Sequence, residues 1–134
     1  MNDKVSHSRQ WLAKAESDLT AARRLLDVGG PFDAACFHAQ QAAEKGLKAV
    51  LAGLDAPIPR THNLEDLQAL CVASTALVAA TELATMDLSD LTPFAVESRY
   101  DIEFWPERIE AADAVVKAAL VCTAARQIID IHFK

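Results

Sequence analysis

With 134 residues, the chain makes one domain, residues 1–134, with enough length to bury a proper core. Hydrophobic residues are 51% of it and charged residues 24%, the balance of a globular protein rather than a disordered one. A net charge of −6 and a pI near 5.1 exclude bulk attraction to nucleic acid or anionic membrane, while leaving room for a local basic strip.

Alanine dominates the apolar fraction and aromatics are only 6%, which favours helix over sheet. Cys36, Cys71 and Cys122 are odd in number and set far apart in apolar surroundings. They read as buried free thiols, not as a disulfide framework or a zinc site. The opening MNDKVSHSRQW lacks the apolar core of a signal peptide, and no apolar run approaches a membrane span. The expected location is the cytoplasm.

In chain order, residues 6 to 28 read as a first helix. Leu12, Ala15, Leu19, Ala22 and Leu26 form its buried stripe, with Lys14, Asp18, Arg24 and Asp27 on the other side. Gly29-Gly30-Pro31 ends it: a glycine suits the left-handed position after a helix, and Pro31 suits the first turn of the next. So short a link makes an antiparallel hairpin. The second helix spans about 31 to 52, stopped by Gly53, Pro57 and Pro59. Asn63 caps a short third helix, with Asp66 at its N3 position. A fourth helix is expected from Ala76 to about Leu91.

TPFAVESRYDIEFWPE follows, with half of all the aromatics: Phe94, Tyr100, Phe104 and Trp105. It is expected to be an irregular loop. Pro106 then opens the last helix at N1, with Glu107 and Glu110 near the positive end of its dipole, and that helix runs to about Phe133. The fold class is all-α, an up-and-down bundle of four to five helices in a single domain.

The second helix carries two patterns at once. Ala42, Gly46, Ala49 and Gly53 fall on one face, small enough to let another helix approach closely. His38, Gln41, Lys45 and Lys48 fall on a second, polar face, and Glu44 stands one turn before Lys48 in position for an ion pair.

These features in this order resemble the HEPN domain family, small helical domains of prokaryotes and higher eukaryotes. The residues are Trp11, Leu12, Ala15 and Leu19 in the first helix, then FHAQQAAEKGLKAVL from Phe37 to Leu51. THNLEDL from Thr61 to Leu67, SRY from Ser98 to Tyr100, and WPE from Trp105 to Glu107 complete the set. The resemblance implies one of three roles: metal-independent ribonuclease of a toxin–antitoxin system, partner of a minimal nucleotidyltransferase, or nucleotide binder. It also implies a homodimer. One departure stands out: Asp101 follows Arg-Tyr where the compared branch has Pro, which would have fixed the backbone there.

The ribonuclease branch carries an Arg, a spacer of four to six residues, and a His. Arg126 and His132, around QIIDI, are the one literal match. On a continuous helix six residues turn about 600°, so the two side chains diverge by about 120°. They read as surface residues near a helix C-terminus, weak candidates for catalysis. His38, Gln41, Lys45 and Lys48 offer donors suited to phosphate or a base edge; the alternative is a solvated helix face. His62 reads either as an acid–base group or as a loop anchor. Arg99 beside Tyr100 either binds phosphate and stacks a base or pairs with Glu44. The chain has no Gly-rich phosphate loop, serine triad, paired-carboxylate site or metal-ligand cluster, and no cofactor is implied.

The expected function is a non-catalytic helical module that binds a nucleotide or RNA end and acts with a nucleotidyltransferase. Its ligand residues would be His38, Gln41, Lys45, Lys48, His62, Arg99 and Tyr100. The alternatives are a dimeric ribonuclease toxin and a plain interaction scaffold.

Overall fold

The computed structural model describes residues 3–75 and 78–134. All regular structure among them is helical: α1 (Asp3–Asp27), α2 (Phe32–Gly53), α3 (Leu64–Ala73), α4 (Val78–Ala84), α5 (Phe94–Tyr100) and α6 (Arg108–His132). No helix among the described residues is long and apolar enough to cross a membrane.

The long helices α1, α2 and α6 form the body. Gly29 at φ 91° and Gly30 at φ 114° close α1, with Gly30 N–H donating to Leu25 and Gly29 N–H to Leu26. This double bond pattern satisfies the last carbonyls of the helix and turns the chain back. Ser8 near the start of α1 donates to the Ala49 carbonyl near the end of α2, so the two run antiparallel. At the other end Arg108, opening α6, donates to the Leu26 carbonyl and lies over Phe32, so α6 runs parallel to α2. The intervening chain is the crossover that carries α3, α4 and α5.

The small-residue face is what lets α2 sit between its neighbours. A Cβ on Gly46 would meet Val121, Cys122 and Ala125 of α6 at 3.6–3.8 Å. A Cβ on Gly53 would stand 3.1 Å from Ser8 Oγ and 3.3 Å from the Phe133 ring. Fourteen of the 22 residues of α2 are buried, which makes it the core helix. Cys36, Cys71 and Cys122 are free and buried; desolvation pushes each thiol up to about 12, so none is a thiolate at neutral pH.

Several boundaries differ from expectation. The fourth helix is far shorter: Ala76 and Leu77 lie outside the described residues, and α4 ends at Ala84. After it, Leu88 and Leu91 are buried as isolated anchors in turns rather than as a helical stripe. The aromatic segment is not a loop throughout, because FAVESRY forms α5, which makes six helices among the described residues instead of four to five. Pro106 is buried two residues ahead of α6; Glu107 is the N-cap and closes a capping box with Glu110. Asn63 does cap α3, accepting from the Asp66 amide at 2.9 Å.

The room at Gly46 gives a graded expectation. Gly46→Ala places its methyl at ordinary contact distance and gains helix propensity, so the melting temperature holds or rises. Gly46→Leu overpacks against α6 and should cost about 1–3 kcal/mol, read as a lower midpoint in urea.

Candidate functional site

The polar face of α2 is satisfied from both sides. On the α1 side, Asp18 accepts from Lys45 Nζ at 2.6 Å through one oxygen and meets His38 Nδ1 at 2.8 Å through the other. On the α3 side, Glu44 meets His62 Nδ1 at 2.8 Å through one oxygen and accepts from Lys48 Nζ at 3.1 Å through the other. Gln40, fully buried, adds an N–H to Glu44 at 3.2 Å and lies 3.3 Å from the carbonyl of His62. Gln41 donates to Gln40 Oε1 at 2.7 Å.

Glu44 is the deepest charge of the set, its side chain 5% exposed. Burial alone would raise its pKa. Hydrogen bonds from His62, Gln40 and Lys48, with the Lys48 charge, outweigh that and hold the carboxyl below its ordinary value of 4.5. Glu44 is therefore ionised at neutral pH. His62 donates its Nδ1 proton to it from a side chain that is 60% exposed.

Lys45 and Lys48 each face a carboxylate and are 25% and 12% exposed, so neither is a solvated lysine on an open face. Lys48 also lies over the Trp11 ring, 5.7 Å from its centroid. His62, in the loop ahead of α3, is tied to Glu44 of α2.

Arg99 does not pair with Glu44. From α5 its Nε donates to the Ala95 carbonyl at 2.9 Å, and its guanidinium lies 5.1 Å from the Phe37 ring and 5.0 Å from the Tyr100 ring. Both Arg99 and Tyr100 are exposed. Ser98 Oγ beside them is buried without a hydrogen-bond partner among the described residues. Phe37 is next to His38, so α5 brings Arg99 to the same helix that carries the other expected residues. Asp101, where the compared branch has Pro, is the C-cap of α5 in extended conformation, and its carboxylate accepts from the Glu103 amide.

Arg126 and His132 do not come together. Arg126 is ion-paired with Glu16 of α1, and His132 packs edge-on against Phe133 at 4.9 Å, on the one continuous helix α6. No group of His, Cys, Asp and Glu among the described residues has the arrangement to hold a metal ion.

Two residues of the site escape a reading of the sequence. Helical spacing puts Asp18 among the outer polar residues of α1, yet it lies one turn from both Ala15 and Ala22 and so on the flank of the buried stripe. Gln40 carries no charge pattern to mark it.

The HEPN domain model matches residues 8–128. The chain belongs to the HEPN domain family. A solved structure, the crystal structure of TT1696 from Thermus thermophilus, is similar to this HEPN domain with a TM-score of 0.70 and 24% identity. The match covers 91% of this chain and 98% of that one, which supports the helical fold alone. No curated protein matches the chain.

Glu44 gives the site a pH signature. Its folded-state pKa lies below 4.5, so the unfolded chain binds the proton first as acid is added. The stability it contributes is present above about pH 4.5 and drains as pH falls through the folded-state value. Melting temperatures between pH 6 and 3 should fall steeply in the native protein and less steeply in Glu44→Gln, which has no proton to gain.

Proposed function

We propose that this HEPN domain is a non-catalytic module that binds a nucleotide or an RNA end along α2 and α5. It acts with a minimal nucleotidyltransferase partner in a toxin–antitoxin-type or related cytoplasmic system. The observation that carries the reading is Arg99. It is an exposed guanidinium whose terminal nitrogens face no carboxylate among the described residues, set between Phe37 and Tyr100. A guanidinium held against aromatic rings keeps its fork for phosphate, and Tyr100 offers a flat face for a base. The lysines support it differently from a free basic strip: paired to Asp18 and Glu44, they supply oriented N–H groups with little net charge. The separation of Arg126 from His132 supports the non-catalytic part of the reading.

Calorimetry with AMP and with the RNA oligomer pentaadenylate tests it. Arg99→Ala should weaken binding by about 1.5–3 kcal/mol, the scale of a hydrogen bond to a charged group, and leave the melting temperature nearly unchanged. If neither probe binds the parent protein, the reading is wrong.

Self-association belongs to the same proposal. Ile109, Val116 and Leu120 are 74%, 59% and 52% exposed and share one stripe of α6, with Trp105 at 74% just ahead of the helix. So much large apolar surface on one element favours a homodimer. Light scattering should give a dimer mass for the parent and a monomer mass for Val116→Glu. A monomeric parent at tens of micromolar, roughly the range of weak association, would count against it.

A further inference from the structure

Beside α1 runs an open groove of about 860 Å³, lined by His7, Gln10, Trp11 and Lys14 of α1 and by Lys45 of α2. Its size lies in the range of small-ligand sites. Trp11 is half-buried, packed against the core on one side, so its position is fixed. Its one polar atom is already engaged: Nε1 donates to His7 Nε2 at 3.1 Å. The Lys48 ammonium lies over part of the ring, and what the indole otherwise presents to the groove is carbon surface, which selects a flat apolar or aromatic group rather than a hydrogen-bond acceptor. Lys14 stands exposed on the groove's rim, whereas Lys45 is held by Asp18.

One face of α2 leads from the Arg99 site toward Trp11. Phe37, Gln41 and Lys48 fall at i, i+4 and i+11; Arg99 lies over the first and Trp11 beneath the last. Eleven residues of helix are about 16 Å, far more than one nucleotide spans at about 3.4 Å per stacked residue. A mononucleotide on Arg99 does not reach Trp11. A single strand of about five nucleotides does.

We infer that the ligand is the end of a single-stranded oligonucleotide, with a phosphate at Arg99 and a base several nucleotides away stacked on Trp11. Lys14 takes a phosphate of that second segment. This rests on the nucleotide-binding reading above and adds a ligand class and a second contact to it. Stacking on a tryptophan whose donor is engaged tolerates any base, so binding depends on strand length more than on sequence.

The chain has two tryptophans, so Trp105→Phe leaves Trp11 as the sole indole fluorophore. In that protein, pentaadenylate should quench Trp11 emission and bind about tenfold or more tighter than AMP. AMP should leave the emission unchanged. Trp11→Leu should bring pentaadenylate down to the affinity of AMP without altering AMP itself. Because Trp11 also packs on the core, Lys14→Ala at an exposed position is the second variant, weakening pentaadenylate and sparing AMP. If pentaadenylate binds no tighter than AMP, or binds without quenching Trp11, the strand-length inference is overturned while the Arg99 site stands. If neither probe binds, both fall together.

Discussion

The structure depends on how closely α2 can be approached. A helix that must be covered by α1 on one flank and by parallel α6 on another has no room for large side chains where they meet. Ala42, Gly46, Ala49 and Gly53 meet that constraint, and the approach is close enough for α1 and α6 side chains to bond to α2 carbonyls. Ser8 donates to Ala49, and Cys122 lies 3.7 Å from the carbonyl of Ala42. Backbone oxygens in a helix already accept one bond, and a second donor reaches them only when the neighbouring helix is this near.

A core helix packed so tightly still carries ionisable groups, and they are handled in the same way on both sides. Each carboxylate, Asp18 or Glu44, holds a histidine with one oxygen and a lysine with the other. A half-buried lysine with no partner would be costly, and so would a buried glutamate. Coupling them in threes satisfies every charge and fixes which histidine nitrogen carries a proton at Glu44. The arrangement also ties distant parts of the chain to α2: Asp18 brings in α1, and His62 brings in the loop that leads to α3.

Much of this is legible in the sequence, because period and spacing are local. The stripe of α1, the glycine turn, the small face of α2, the Glu44–Lys48 pair and the Asn63 cap all follow from residues within a few positions of one another. The HEPN motifs add the family. What stays hidden is long-range. FAVESRY contains Val96, Arg99 and Tyr100 on exposed positions, so it has no amphipathic stripe to mark it as a helix. Leu88 and Leu91 look like the continuation of a helical period, yet they are buried from turns. Asp18 looks like a solvated acid until α2 is placed against it. Glu44 looks open to Arg99 because sequence does not tell that His62, Gln40 and Lys48 already surround that carboxylate.

The parallel course of α2 and α6 fixes where the domain is entered and left. Ser8 and Phe133 both lie against Gly53, and Arg9 is ion-paired with Asp130 at 2.6 Å, so the first turns of α1 and the last turn of α6 share one pole of the bundle. Phe37 and Arg99 belong toward the opposite pole, where α2 begins. A fluorophore or affinity handle joined to either flank of the domain is thus delivered far from Arg99. The same proximity means that a short linker would be enough to join the two flanks.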